Sequence, residues 1–114
     1  MIRTLPPEHV LLGFFGAEPE VLDAGLPWFY NRLTFTVERN GDHLTCGLEP
    51  ANGRIDVVWL QQGEESVRVT LGELRTFEVI AEEGVSCLVA AREANTVQLR
   101  LWLDPHVRLF LGTG

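Results

Sequence analysis

The stretch RLTFTVERNGDHLTCGLE, residues 32–49, decides how the rest of the chain is read. Leu33, Phe35 and Val37 alternate with Thr34, Thr36 and Glu38, the period of two expected of a half-buried strand. Asn40-Gly41 then supplies the residues best suited to the positive φ angles of a two-residue type I′ hairpin turn. Such a turn opposes Arg39 to Asp42, and the remaining pairs follow. Val37 meets Leu44, Phe35 meets Cys46 and Leu33 meets Leu48 on one face. On the other, Glu38 meets His43, Thr36 meets Thr45 and Arg32 meets Glu49. Both faces are chemically matched, and a slip of one residue would exchange them.

The register extends downstream. Pro50-Ala51-Asn52-Gly53 has turn chemistry throughout. As a four-residue loop it opposes Glu49 to Arg54, Leu48 to Ile55, Cys46 to Val57 and Leu44 to Trp59. Arg32, Glu49 and Arg54 then form a row of alternating charge across three strands. A loop at Gln62-Gly63-Glu64 sets Trp59 near Val67, Val57 near Val69 and Ile55 near Leu71, so that four strands share one apolar face.

Beyond Gly72, Phe77, Val79 and Ala81 alternate up to Glu82-Glu83-Gly84, read as a three-residue loop with glycine at the left-handed position. Val85, Cys87 and Val89 then face inward, as do Val97, Leu99, Leu101 and Leu103. A three-residue loop at Asp104-Pro105-His106 pairs Leu103 with Val107, Leu101 with Leu109 and Leu99 with Leu111. On the opposite face Trp102 meets Arg108 and Arg100 meets Phe110. The expected fold is therefore mainly β: about eight antiparallel strands in two meanders, joined near Gly72-Glu73 and forming a sandwich or barrel. Val58 and Leu60 fall on the outer side of the first meander, and Ile80, Leu88, Trp102 and Phe110 on that of the second. Either the N-terminal helix or a second subunit is expected to cover part of them.

Pro6-Pro7-Glu8 suits a helix start, with Val10, Leu11, Phe14 and Phe15 at helical spacing and Gly16 to end it. Pro19-Glu20-Val21-Leu22 is read as one further helical turn. Residues 1–30 are thus a helical and loop segment packed on the sheet of a single β-rich domain, residues 1–114. Within that segment Trp28-Phe29-Tyr30 is expected to pack, Trp28 and Tyr30 plugging one end of the sandwich and Phe29 lying under the helix. Its functional use would be as an anchor for a partner.

With nine arginines, no lysine and sixteen acids, the net charge is −7. That balance opposes a phosphate-neutralising grip on nucleic acid and favours a basic partner. Arginine without lysine, together with scarce isoleucine, points to a GC-rich bacterial genome. The longest apolar stretch, residues 10–17, is far short of the ~20 residues of a membrane span. Arg3 is cut off from it by Pro6, Pro7 and Glu8, a poor signal peptide. A cytoplasmic protein with two buried free thiols, Cys46 and Cys87, is expected, with no membrane partner.

Chemistry-bearing groups do not converge in the sequence. Ser66 and Ser86 lack a nucleophile elbow. His9, His43 and His106 are scattered singly, without metal-ligand spacing. Glu64-Glu65 and Glu82-Glu83 sit in turns, where solvated charge is the ordinary reading. No enzyme, metal or cofactor is expected. The candidate partner-binding residues are Trp28, Phe29 and Tyr30, and the face of Arg100, Trp102, Arg108 and Phe110, which suits cation–π stacking.

In size, charge and layout (short helix, aromatic loop, acidic β-meander) the chain resembles small immunity proteins that neutralise bacterial toxins. The resemblance implies a non-catalytic interaction protein that binds another protein, or itself as a homodimer. The competing expectation is a β-barrel carrier of a small apolar ligand, eight strands being the size that admits one.

Overall fold

The computed structural model describes residues 4–93 and 96–112; Arg3 lies outside them. Its elements in order are α1 (Glu8–Phe15), β1 (Glu20–Val21), a 3₁₀ turn (Trp28–Tyr30), β2 (Leu33–Arg39), β3 (Asp42–Glu49), a second 3₁₀ turn (Pro50–Asn52), β4 (Arg54–Gln61), β5 (Glu64–Leu71), β6 (Thr76–Glu82), β7 (Val85–Glu93), β8 (Thr96–Trp102) and β9 (Arg108–Leu111). They form a five-stranded antiparallel sheet, β1-β2-β3-β4-β5, and a four-stranded one, β6-β7-β8-β9. Glu20–Val21 is a short strand paired to β2 rather than a helical turn.

In the first sheet the pairs read across Asn40-Gly41, from Leu33–Leu48 to Arg39–Asp42, and those read across Pro50–Gly53 are present, and Arg32, just before β2, meets Glu49 through its side chain. The core pairs across β4 and β5 are those expected, but they are reached differently. Gln62-Gly63 is a two-residue turn that opposes Gln61 to Glu64, and a bulge between Trp59 and Leu60 restores the parity.

The second sheet corrects the reading at one point. Glu83-Gly84 is also a two-residue turn, so Glu82 opposes Val85 and Val79 opposes Leu88. Leu88 and Ala90 therefore belong to the core, whereas Val85, Cys87 and Val89 point to the outer face. The cause is Glu83 at φ 53°, a left-handed conformation that composition reserves for Asn, Asp or Gly. A bulge at Gln98 likewise turns Val97 outward with Ala91. The β8–β9 register is the one expected.

Inner faces of both sheets and one side of α1 enclose a common core that includes Phe15, Phe35, Phe77, Leu44, Leu48, Leu99 and Leu101. Among the described residues no strand of one sheet pairs with a strand of the other, so they form a sandwich and not the closed barrel that was the alternative. The space between the sheets holds side chains, Phe15 stacking on Phe35 at 4.1 Å. Leu11, Phe14 and Phe15 are buried, and the helix ends at Gly16, whose left-handed φ of 65° closes it. α1 thus seals the core beside β2, β6 and β7 instead of lying over the outer face of the second sheet. No helix among the described residues is long and apolar enough to cross a membrane.

Candidate functional site

Three surfaces carry the polar and aromatic groups of interest. The outer face of the first sheet is occupied by its own charges. Arg32 donates to Glu49 Oε2 and to Asp56 Oδ2, each at 2.8 Å, and Arg54 lies within 3.6 Å of the same two carboxylates. Thr70 Oγ1 donates to Asp56 Oδ1 at 2.6 Å and Asn52 to Glu49 Oε1 at 3.0 Å. Burial disfavours the Asp56 charge, but the Thr70 and Arg32 hydrogen bonds and the nearby arginine charges outweigh it and hold the carboxyl below its ordinary value. The Arg32–Glu49–Arg54 row was legible in sequence; Asp56 at its centre was not. Its signal is Gly47, which sits mid-strand opposite Asp56 and beneath the Arg32 guanidinium. This set is electrically neutral and internally satisfied. It offers a partner little.

The second surface is the loop from Leu22 to Tyr30. Trp28 packs partly against the core, but Phe29 is 41% and Tyr30 60% exposed, so neither plugs the sandwich nor lies under α1 as expected. Leu22, at 78%, and Leu26, at 46%, are exposed with them. The backbone beneath is nevertheless tightly tied. Buried Asn31 donates to the carbonyls of Asp23 and Leu26 at 2.6 and 3.3 Å, and its Oδ1 accepts from the N–H groups of Asp23 and Arg32 at 3.1 and 3.0 Å. Leu22 N–H donates to Arg32 O, and Tyr30 and Asn31 N–H groups close the 3₁₀ turn on Pro27 and Trp28. Trp28 meets Phe29 edge-on, and Phe29 packs against Tyr30 in a tilted contact at 4.8 Å. The loop thus presents apolar groups on a preformed backbone, flanked by the exposed carboxylates of Glu20 and Asp23. Asn31 escaped the sequence reading; an Asn closing an aromatic run before a strand is the signal for such a clip.

The third surface is the outer face of the second sheet. Arg100 opposes Phe110 and Trp102 opposes Arg108, with the Arg108 guanidinium 4.7 Å from the Trp102 ring centre. These four residues share the face with Ile80, Cys87, Val89, Ala91 and Val97. Arg100, Glu78, Thr76 and Val97 help to line a groove of about 400 Å³ floored by Val89 and Ala91. The aromatic loop and the aromatic–arginine face are separate sites.

Remaining chemical groups stay apart. His43 Nδ1 lies 3.1 Å from Glu38 Oε1, the cross-strand surface pair expected. Among the described residues no group of three His, Cys, Asp or Glu is placed to hold a metal. Cys46 and Cys87 are free and buried, Cys46 in the core and Cys87 on the outer side of β7. Burial pushes the Cys46 thiol up to about 12.

No family model matches the chain, and no curated protein matches it in sequence. Its fold is nonetheless that of a solved chain from a contact-dependent growth inhibition toxin–immunity protein complex of Klebsiella pneumoniae 342. The two superpose with a TM-score of 0.82 over 98% of this chain and 96% of that one, at 15% identity.

Proposed function

We propose that this protein is a bacterial immunity-type inhibitor, which binds a toxin domain and blocks it by surface complementarity. The observation that carries the reading is the end-to-end fold correspondence with a chain of a toxin–immunity complex. A sandwich plus helix matched over 98% of its length is an entire scaffold in common, not a recurrent fragment. Charge supports the inhibitor half of such a pair: sixteen acids against nine arginines favour a cationic protein and oppose a nucleic-acid substrate.

The toxin-binding site in this reading is the loop carrying Phe29 and Tyr30, with Trp28 as its root. Large aromatics on a backbone already fixed lose little conformational entropy on docking, the property that hot-spot residues share. The nearby carboxylates of Glu20 and Asp23 would steer a basic surface toward it. The protein acts without catalysis and in the cytoplasm, where its two thiols stay reduced.

The test starts from the gene next door. The C-terminal domain of a large secreted protein encoded beside this one is expressed with and without this chain. Protection of the cells, a one-to-one complex and an on-rate that falls steeply with salt are expected. A neighbouring toxin domain that kills equally in its presence would overturn the proposal.

A further inference from the structure

We infer that the outer face of the second sheet pairs two copies of this chain, back to back, about a two-fold axis running along the strands. The argument begins with what the face is made of. Cys87, Val89 and Ala91 on β7 point away from the core, yet each is less than 10% exposed, because Ile80, Arg100 and Trp102 rise around them. Phe110, on the edge strand, is 49% exposed. Much of the middle of the face is therefore apolar, whereas one end of the first sheet's outer face carries the Arg32, Glu49, Arg54 and Asp56 ion pairs.

Charges of opposite sign lie on β6 and β9, with one further arginine, Arg100, on the inner strand β8. Glu78 and Glu82, both exposed, alternate with Ile80 along β6. Arg100 and Arg108 lie on β8 and β9, and among the described residues neither is joined to a carboxylate; Arg75 and Arg92 also lack one, whereas Arg32, Arg39, Arg54 and Arg68 are paired. The β6 margin is acidic, the β9 margin basic, and the strip between is apolar apart from Arg100, whose guanidinium would reach toward Glu78 of the second copy.

Such a face is complementary to itself in one orientation. Rotation by half a turn about an axis parallel to the strands, between β7 and β8, lays β6 of one copy over β9 of the other. The row that runs Ile80, Cys87, Trp102, Arg108 then sets Arg108 opposite Ile80 of the second copy, between its Glu78 and Glu82. The same happens twice by symmetry, as an isologous interface requires. Rotation about an axis across the strands lays β6 on β6 and β9 on β9, opposing like charges. Two apolar sheet faces stacked in this way pack at about 10 Å with a modest twist. Three strands of seven or more residues and the four-residue β9, spaced about 4.8 Å apart, cover at most about 20 × 20 Å, which places the total buried area at or below the lower bound for specific interfaces. A weak dimer is expected from so small an interface.

The test needs no toxin, so its failure is separable from failure of the inhibitor reading. Sedimentation equilibrium of the full chain is expected to show a monomer–dimer equilibrium. Arg108→Glu alone, or Glu78→Arg with Glu82→Arg, is expected to weaken the dimer at least tenfold, and the three changes together to restore it. Phe29→Ala should leave it intact. All sites are exposed, and circular dichroism checks that each variant folds. A wild-type monomer at millimolar concentration, a dimer indifferent to Arg108→Glu, or a triple variant that fails to recover would overturn the inference.

Discussion

The guanidinium of Arg32 lies directly over Gly47, in the space that a side chain at position 47 would occupy. This is why Arg32, at the start of β2, reaches across β3 to Asp56 on β4. A glycine in a strand interior ordinarily costs stability. Here its missing Cβ opens the path for an ion pair between strands that are not neighbours.

Gly47→Ala is therefore expected to destabilise the protein by about 1 kcal/mol, although alanine suits a strand better, because it lifts Arg32 from its carboxylates. The obstructing group is the far end of a flexible side chain, so the structure adjusts. Gly53 differs: its φ is 61°, and the atom a Cβ would strike is the Leu74 carbonyl oxygen, part of the backbone. Gly53→Ala should cost roughly 2 kcal/mol or more. Urea denaturation of both variants, and of Gly47→Ala with Arg32→Ala, checks the order; the double variant should lose no more than Arg32→Ala alone.

Asp56 makes the fold sensitive to acid. Its folded pKa lies below the unfolded value of about 3.9, so its contribution is complete above that pH and is lost as the pH falls through the folded pKa. Asp56→Asn should flatten the stability profile below about pH 4, and Thr70→Val should do so in part, since Thr70 donates the 2.6 Å hydrogen bond that favours the charge. Denaturation midpoints at neutral and acid pH measure both.

Exposure separates binding from folding in the aromatic loop. Phe29→Ala and Tyr30→Ala should change stability by less than about 0.5 kcal/mol yet weaken toxin binding tenfold or more, mostly through faster dissociation. Asn31→Ala should act indirectly. It leaves the Leu26 carbonyl and the Asp23 and Arg32 N–H groups without the Asn31 side chain, while the Asp23 carbonyl keeps only the Leu26 N–H; the change costs about 1–3 kcal/mol and loosens the loop. Hydrogen exchange at the Asp23 amide, alongside affinity, distinguishes these effects.

Native thiols should be inert. With the Cys46 pKa pushed up to about 12, only about one molecule in ten thousand carries its thiolate at pH 8. The pKa of Cys87 is raised by burial as well. A colorimetric thiol reagent should therefore react at the pace of unfolding, and promptly with both cysteines in denaturant.

How far the fold was legible depended on which residues stand before glycine. Asn40, Gln62 and Glu83 all adopt φ between 51° and 53°, and each precedes a left-handed glycine in a two-residue turn. Asn40 announces that conformation; Gln62 and Glu83 do not, because nothing in their side chains favours it. At Gln62 a bulge compensated and the core pairs survived. At Glu83 nothing did, so β7 was read with its faces exchanged, and Leu88 with Cys87 traded places. Of the candidate sites, the Trp102–Arg108 stack could be read because its turn was counted correctly. The exposure of Phe29 and Tyr30 could not, since loops lack the periodicity that tells inside from outside.

The Asn31 clip has one further consequence. Phe29 and Tyr30 touch each other, but the backbone that carries Leu22, Leu26, Phe29 and Tyr30 is held by main-chain hydrogen bonds and the Asn31 amide. Their identities can be exchanged without disturbing what holds them. In the proposed inhibitor, a lineage meeting changing toxins would rewrite this tip residue by residue while inheriting the framework unaltered.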